Sequence, residues 1–188
     1  MTVELELPRG VAAETALGFH PVPWPHGPAE QFAAGRRAAG AALAAAGSAD
    51  RVVPRAPDGR PVFPRGFPGS ISHTERLAVA AVVPGAQAVG VDVEDTAVTE
   101  RMARFVFRRR ERQTLLAPAG EYSPGELFVA KEAAFKALNA IAALGDFVFW
   151  QIELSRSGDA LRASYGGASV PVRVRSQADI SLAVAIRR

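Results

Sequence analysis

The chain has no cysteine among its 188 residues. That absence excludes a disulfide framework, a thiol nucleophile and a thiolate metal site. Histidine is scarce: His20, His26 and His73 never fall at His-x3-His spacing, so the usual ligand set of a zinc site is missing. Long hydrophobic runs are lacking too, and the stretch Leu77 to Pro84 falls well short of the roughly 20 residues that span a bilayer. Met1-Thr2-Val3-Glu4-Leu5-Glu6 has neither the positive end nor the apolar run of a secretory signal, so a soluble cytoplasmic protein with no membrane partner is expected. Lysine is nearly absent. Of 22 basic residues only Lys131 and Lys136 are lysines, and arginine, a rigid fork for phosphate and carboxylate, supplies the rest.

What is present suffices for a core. The chain is 48% hydrophobic with a net charge of +3, and its length fits one sizeable domain or two small lobes. Five prolines in the first thirty residues (Pro8, Pro21, Pro23, Pro25, Pro28) favour an irregular or short-strand entry, with His20 and His26 as loop residues. The spacing predicts a helix from Gln31 to Ala46 with Phe32, Ala39 and Leu43 on one face, Arg36 and Arg37 riding on it, and Gly47 ending it. Asp58-Gly59-Arg60-Pro61 reads as a turn, and Ser70-Ile71-Ser72-His73 opens a more regular segment. Leu77 to Val83 and Ala88 to Val93 read as two strands around Pro84-Gly85, a hairpin or a strand-turn-strand connection. One helix is expected over Thr99 to Leu116 and another from Glu126 to about Leu144. Strands are expected at Val148 to Leu154, Leu161 to Tyr165, Val170 to Val174 and Ile180 to Ile186. The result is an α+β protein of two lobes, with a break near Glu94 to Val98.

Two short signatures carry the chemistry. In Gly90-Val91-Asp92-Val93-Glu94 an extended strand sends both carboxylates to one side and the valines to the other. Glu132 and Lys136 sit four residues apart on a helix, so they share a face, with Lys131 beside them in sequence. Hard oxygen ligands favour Mg2+, which takes one or two protein carboxylates and completes its shell with water and phosphate oxygens. Ser70, Ser72 and His73 follow a Pro/Gly-rich approach and suit a phosphate cradle. Adjacent residues on a strand face opposite ways, which argues against a Ser/His nucleophilic pair.

In order, Phe32 to Ala44 with Arg36, Arg60-Pro61 through Gly69-Ser70-Ile71-Ser72-His73, Gly90 to Glu94, and Leu127 to Leu138 resemble the 4'-phosphopantetheinyl transferases. They are most similar to the group of the enterobactin synthase component D, over about residue 30 to the C-terminus. The resemblance implies transfer of 4'-phosphopantetheine from coenzyme A, the co-substrate, to a serine of an apo acyl or peptidyl carrier protein, releasing adenosine 3',5'-bisphosphate. Such chemistry serves nonribosomal peptide, polyketide or siderophore biosynthesis. By the same resemblance Asp92, Glu94 and Glu132 hold Mg2+, and Glu132 accepts the serine proton. Asp92 and Lys136 complete the catalytic set. Arg36, Arg60, Ser72, His73, Asp92, Lys131 and Lys136 contact the cofactor. The implied fold is α+β with two similar lobes, 1–95 and 96–188, each a helix on a small, mostly antiparallel sheet, and with the active site at their interface. Such a pocket needs only one chain, so a monomer is the simpler expectation.

The chain departs from the family pattern in three places. His26-Gly27-Pro28-Ala29-Glu30 stands where relatives carry a basic cluster, Phe63 where tryptophan is frequent, and Val129 where Ser, Cys or Thr is common. The cation contact is then either missing or supplied by Arg37, Arg55 or an arginine elsewhere. Two other functions share parts of the pattern. A Mg2+-dependent phosphohydrolase would use the same acids with water, and a nucleic-acid-binding module would use Arg101, Arg104, Arg108, Arg109, Arg110 and Arg112. A charge run is more often a solvated face, and no aromatic platform or zinc motif accompanies this one. An acidic carrier protein fits the same arginines by electrostatic steering.

Overall fold

A computed structural model describes residues 15–142, 148–158 and 160–188. The opening Met1 to Glu6 and Pro8 lie outside the described residues, as does the expected helix end at Leu144. The first half builds β1 (Ala16–Pro21), α1 (Pro28–Ala45), β2 (Gly69–His73), β3 (Leu77–Val82) and β4 (Ala88–Glu94). The second builds α2 (Glu100–Val106), α3 (Arg109–Thr114), α4 (Pro124–Ala142), a 3-10 turn (Phe149–Gln151), β5 (Glu153–Ser157), β6 (Ala160–Tyr165), β7 (Ala168–Gln177) and β8 (Ile180–Arg187). The protein is α+β, with helices packed on two antiparallel sheets ordered β1-β3-β2 and β4-β8-β7-β6-β5.

The two long helices begin and end for local reasons. Pro28 opens α1. At its other end Gly47 has a φ of 83°, and the Gly47 and Ser48 amides donate to the Ala44 and Leu43 carbonyls, so the last turn is closed. The Ser123 hydroxyl accepts from the Glu126 amide at 3.1 Å and the Glu126 carboxylate accepts from the Ser123 amide at 2.8 Å. This reciprocal cap starts α4 at Pro124, ahead of the expected Glu126.

Leu77–Val82 and Ala88–Glu94 do not form a hairpin. Both edges of β3 are taken, by β1 and β2, while β4 pairs with β8 from Ala88↔Arg187 to Glu94↔Ser181. The strand that the sequence groups with the first lobe thus hydrogen-bonds into the sheet of the C-terminal elements. Alternate residues of β3, with Val83 just after it, serve two cores. Ala78, Ala80 and Val82 pack toward α1, whereas Val79, Ala81 and Val83 meet Val89, Val91 and Val93 of β4 and Leu182 and Val184 of β8. With its valines spent between the sheets, β4 turns Ala88, Gly90 and Asp92 toward α4. A Cβ at Gly90 would run into the Ala133 carbonyl and the Ala137 amide, so only glycine lets this helix lie so close.

Other expectations are corrected. Phe32 is exposed on α1, with the Arg36 guanidinium 4.4 Å above its ring. His20 belongs to β1 and not to a loop. The single helix expected over Thr99 to Leu116 is two, because Phe107 and Arg108 are extended. Phe107 enters the core there, and the Glu111 carboxylate caps the Arg108 amide at 2.7 Å to begin α3. The strand expected from Val148 is the 3-10 turn, and pairing starts only at Glu153.

Candidate active site

Asp92, Glu94 and Glu132 each place a carboxylate oxygen within 4.8 Å of the others. Strand alternation delivers the first two, and the close crossing of α4 over Gly90 delivers the third. The Asp92 side chain is 1% exposed. Its Oδ1 accepts from the Ser72 hydroxyl at 2.7 Å and from Lys136 Nζ at 2.6 Å. Its Oδ2 is buried with no hydrogen-bond partner. Lys136 Nζ also donates to Ser72 Oγ and to the Val91 carbonyl, each at 3.0 Å.

The acids outnumber the cations here, and their proton affinities show it. Burial, then the charges of Asp92 and Asp95, pushes the Glu94 carboxyl up to about 7. Burial and the Asp92 charge push Glu132 up to about 8, against the pull of Lys136. Such repulsion, together with an orphaned buried oxygen, is the environment that a hard divalent cation relieves. The residues therefore fit Mg2+ held by Asp92, Glu94 and Glu132.

Two neighbouring cavities open beside this group, and Pro61 and Ile71 line both. The larger, about 620 Å3, is bordered by Phe32, Arg36, Arg55 and His73. Burial and then Arg55 lower the proton affinity of Arg36, whose Nε is buried without a partner, so two cations converge on one concave wall. Burial, then Lys136, lowers the His73 imidazole. The smaller cavity, about 240 Å3, is bordered by Arg60, Ser70, Phe135 and Lys136. Arg60 reaches it while held by Asp58 at 3.3 Å.

The structure thus gathers Ser72, Asp92, Glu94, Glu132 and Lys136, places Arg36 and His73 at one cavity, and sets Arg60 at the next. Lys131 is the exception. Expected at the cofactor, it is fully buried on the other side of α4, ion-paired to Glu111 at 2.8 Å and donating to the Phe149 and Ile152 carbonyls. Burial lowers its proton affinity, with Glu111 opposing. Helix geometry explains the split, since five residues at about 100° each put Lys131 and Lys136 about 140° apart, whereas Glu132 and Lys136 share a face. Glu111 and the Val91 carbonyl were not legible as partners, and nothing in their sequence context singles them out. Of the arginine stretch, Arg104 is paired with Glu100 at 2.6 Å and Arg108 with Glu153 at 3.0 Å.

Comparison with known families supplies the class to which this fold and its group of carboxylates and cations belong. Residues 28–83 match the 4'-phosphopantetheinyl transferase N-terminal domain, and residues 88–185 match the 4'-phosphopantetheinyl transferase superfamily. The second match alone spans more than half of the chain, which belongs to this superfamily of transferases that use coenzyme A and act on carrier proteins. No curated protein matches the sequence.

Proposed function

We propose that this transferase, a member of the group similar to the enterobactin synthase component D, moves 4'-phosphopantetheine from coenzyme A to a serine of an apo acyl or peptidyl carrier protein. It releases adenosine 3',5'-bisphosphate and acts as a cytoplasmic monomer in nonribosomal peptide, polyketide or siderophore biosynthesis. The two helix-on-sheet units are its lobes, with the site between them. The observation that carries the reading is Asp92 Oδ2, buried and unpartnered beside Glu94 and Glu132.

The carrier serine Oγ forms a bond to the pantetheine-bearing phosphorus as the bond from that phosphorus to the bridging oxygen breaks. The bridging oxygen leaves with adenosine 3',5'-bisphosphate. Glu132 takes the serine proton, a step for which general bases commonly contribute about 100-fold to 10,000-fold. Asp92, Glu94 and Glu132 would hold Mg2+, which when bound would supply positive charge for the pyrophosphate and favour the ionised form of these carboxylates. Arg36, Arg55 and His73 take a phosphate at the larger cavity, and Arg60 borders the smaller one.

Incubation with coenzyme A, Mg2+ and a panel of apo carriers, followed by mass spectrometry, tests the proposal. A carrier that gains the phosphopantetheine mass supports it. Tight nucleic-acid binding at moderate salt with no mass gain on any carrier returns the binding-module reading.

A further inference from the structure

We infer that the notch beneath the start of α4, where β7 runs on past β6, is a second binding site, and that it takes a small carboxylate with an apolar body. Pairing between β6 and β7 begins at Leu161↔Val172, so among the described residues Arg173 to Gln177 pair on one side only, with β8. Tyr122 and Glu126 face this open edge across a cavity of about 280 Å3. It shares no lining residue with the two cavities beside the acids. The volume admits about nine water-sized groups, which suits a single ring or a short chain bearing one carboxylate.

The lining selects the sign and shape of the occupant. Residues two apart on a strand share a face, so Arg173 and Arg175 bring two guanidiniums to the same side of β7. Leu161, Val172 and Val174 supply an apolar wall. Burial, then the Glu121 charge, raises the proton affinity of the Tyr122 phenol against Arg156 and Arg173, so the hydroxyl keeps its proton near neutrality and can donate. The acids nearby are already engaged. The Glu126 carboxylate accepts from the Ser123 amide at 2.8 Å, and Glu121 is ion-paired with Arg156 at 2.9 Å. Two guanidiniums and a phenol donor therefore stand beside an apolar wall, a set that fits the two oxygens of a carboxylate and the hydrocarbon behind them.

The test is titration with para-fluorobenzoate read by fluorine NMR, with coenzyme A in excess so that the cavities beside the acids are filled. The unaltered protein should bind the probe saturably, and para-fluorobenzylamine, of similar shape and opposite charge, should not bind. Tyr122→Phe and Arg175→Gln each remove one polar contact at little cost in volume, and each should weaken para-fluorobenzoate about 10-fold. Inorganic phosphate, an anion without an apolar body, should displace the probe only in large excess. Absence of saturable binding under these conditions would overturn the inference, as would affinities within about twofold of the unaltered protein in both variants. Equal binding of the amine would overturn the choice of an anion, and displacement by equimolar phosphate would overturn the apolar body.

Discussion

Lys131 Nζ lies 2.8 Å from Glu111 Oε2, with the two side chains 0% and 1% exposed. The Arg108 and Leu154 amides also donate to this carboxylate, at 2.7 Å each, so one buried pair ties α3 and β5 to α4 one residue before Glu132. Removing a single partner strands a charge in the core. Glu111→Leu alone should cost about 3–5 kcal/mol in urea unfolding. The double change Glu111→Leu with Lys131→Met should cost less than the two single losses added. Additive losses would contradict the pairing.

Gly90 sets the distance between the acidic strand and α4. In Gly90→Ala the new methyl would meet the Ala133 carbonyl and Ala137 amide, forcing α4 away and drawing Glu132 off Asp92 and Glu94. A misplacement of about 1 Å costs on the order of 100-fold in rate. Overpacking itself costs only about 1–3 kcal/mol. Turnover should therefore fall by about two orders of magnitude in a variant that still unfolds cooperatively, and normal turnover would show that this crossing is not limiting.

Crowding of the acids gives metal-free stability a definite pH dependence. Glu94 and Glu132 hold their protons up to about 7 and about 8, against 4.5 for the ordinary group, so the folded protein binds more protons than the unfolded chain between these values. Their contribution is whole below pH about 4.5 and is lost as pH rises through about 7 to 8. In chelator, Tm should fall by on the order of 5 °C between pH 5.5 and pH 8.5, and Mg2+ should restore more of it at the higher pH. A flat chelator profile, or equal restoration at both pH values, would count against the site.

How much of this was readable beforehand varied with the kind of interaction. Asp92 and Glu94 follow from period-two alternation, and Glu132 with Lys136 from i,i+4 spacing, so the acid group was legible. The fate of Lys131 was legible in principle from its angle to Lys136, but finding Glu111 required a contact across 20 residues of chain that no local pattern encodes. The choice between a hairpin and a strand-turn-strand connection stayed open for a related reason. Runs as apolar as Leu77 to Val82 and Ala88 to Val93 do not announce partners, and both faces of β3 are buried. The start of α4 was present as Ser123-Pro124-Gly125-Glu126, a reciprocal cap masked by the Pro/Gly pair.

An acidic carrier should meet the arginine-rich face of α2 and α3. Phe105 is 70% exposed and Trp150 60%, and the turn bearing Trp150 packs against α2, so apolar anchors stand among the cations. Arg108 is tied to Glu153 and the Trp150 carbonyl, which makes the exposed Arg109 and Arg110 the cleaner probes. Arg109→Glu with Arg110→Glu should raise the carrier KM, leave the coenzyme A KM alone, and differ less from the unaltered protein as salt increases. A carrier KM that does not move at low salt would remove this face from docking.

The initial rate of carrier modification, followed by mass spectrometry with coenzyme A and Mg2+ in excess, tests the acidic group most directly. The unaltered protein should add phosphopantetheine to at least one apo carrier. Folded Asp92→Ala and Glu132→Gln should be slower by about 100-fold or more, since one loses the oriented metal ligand and the other the acceptor of the serine proton. Modification by both variants at the unaltered rate would contradict the assignment of the acidic group as the catalytic centre.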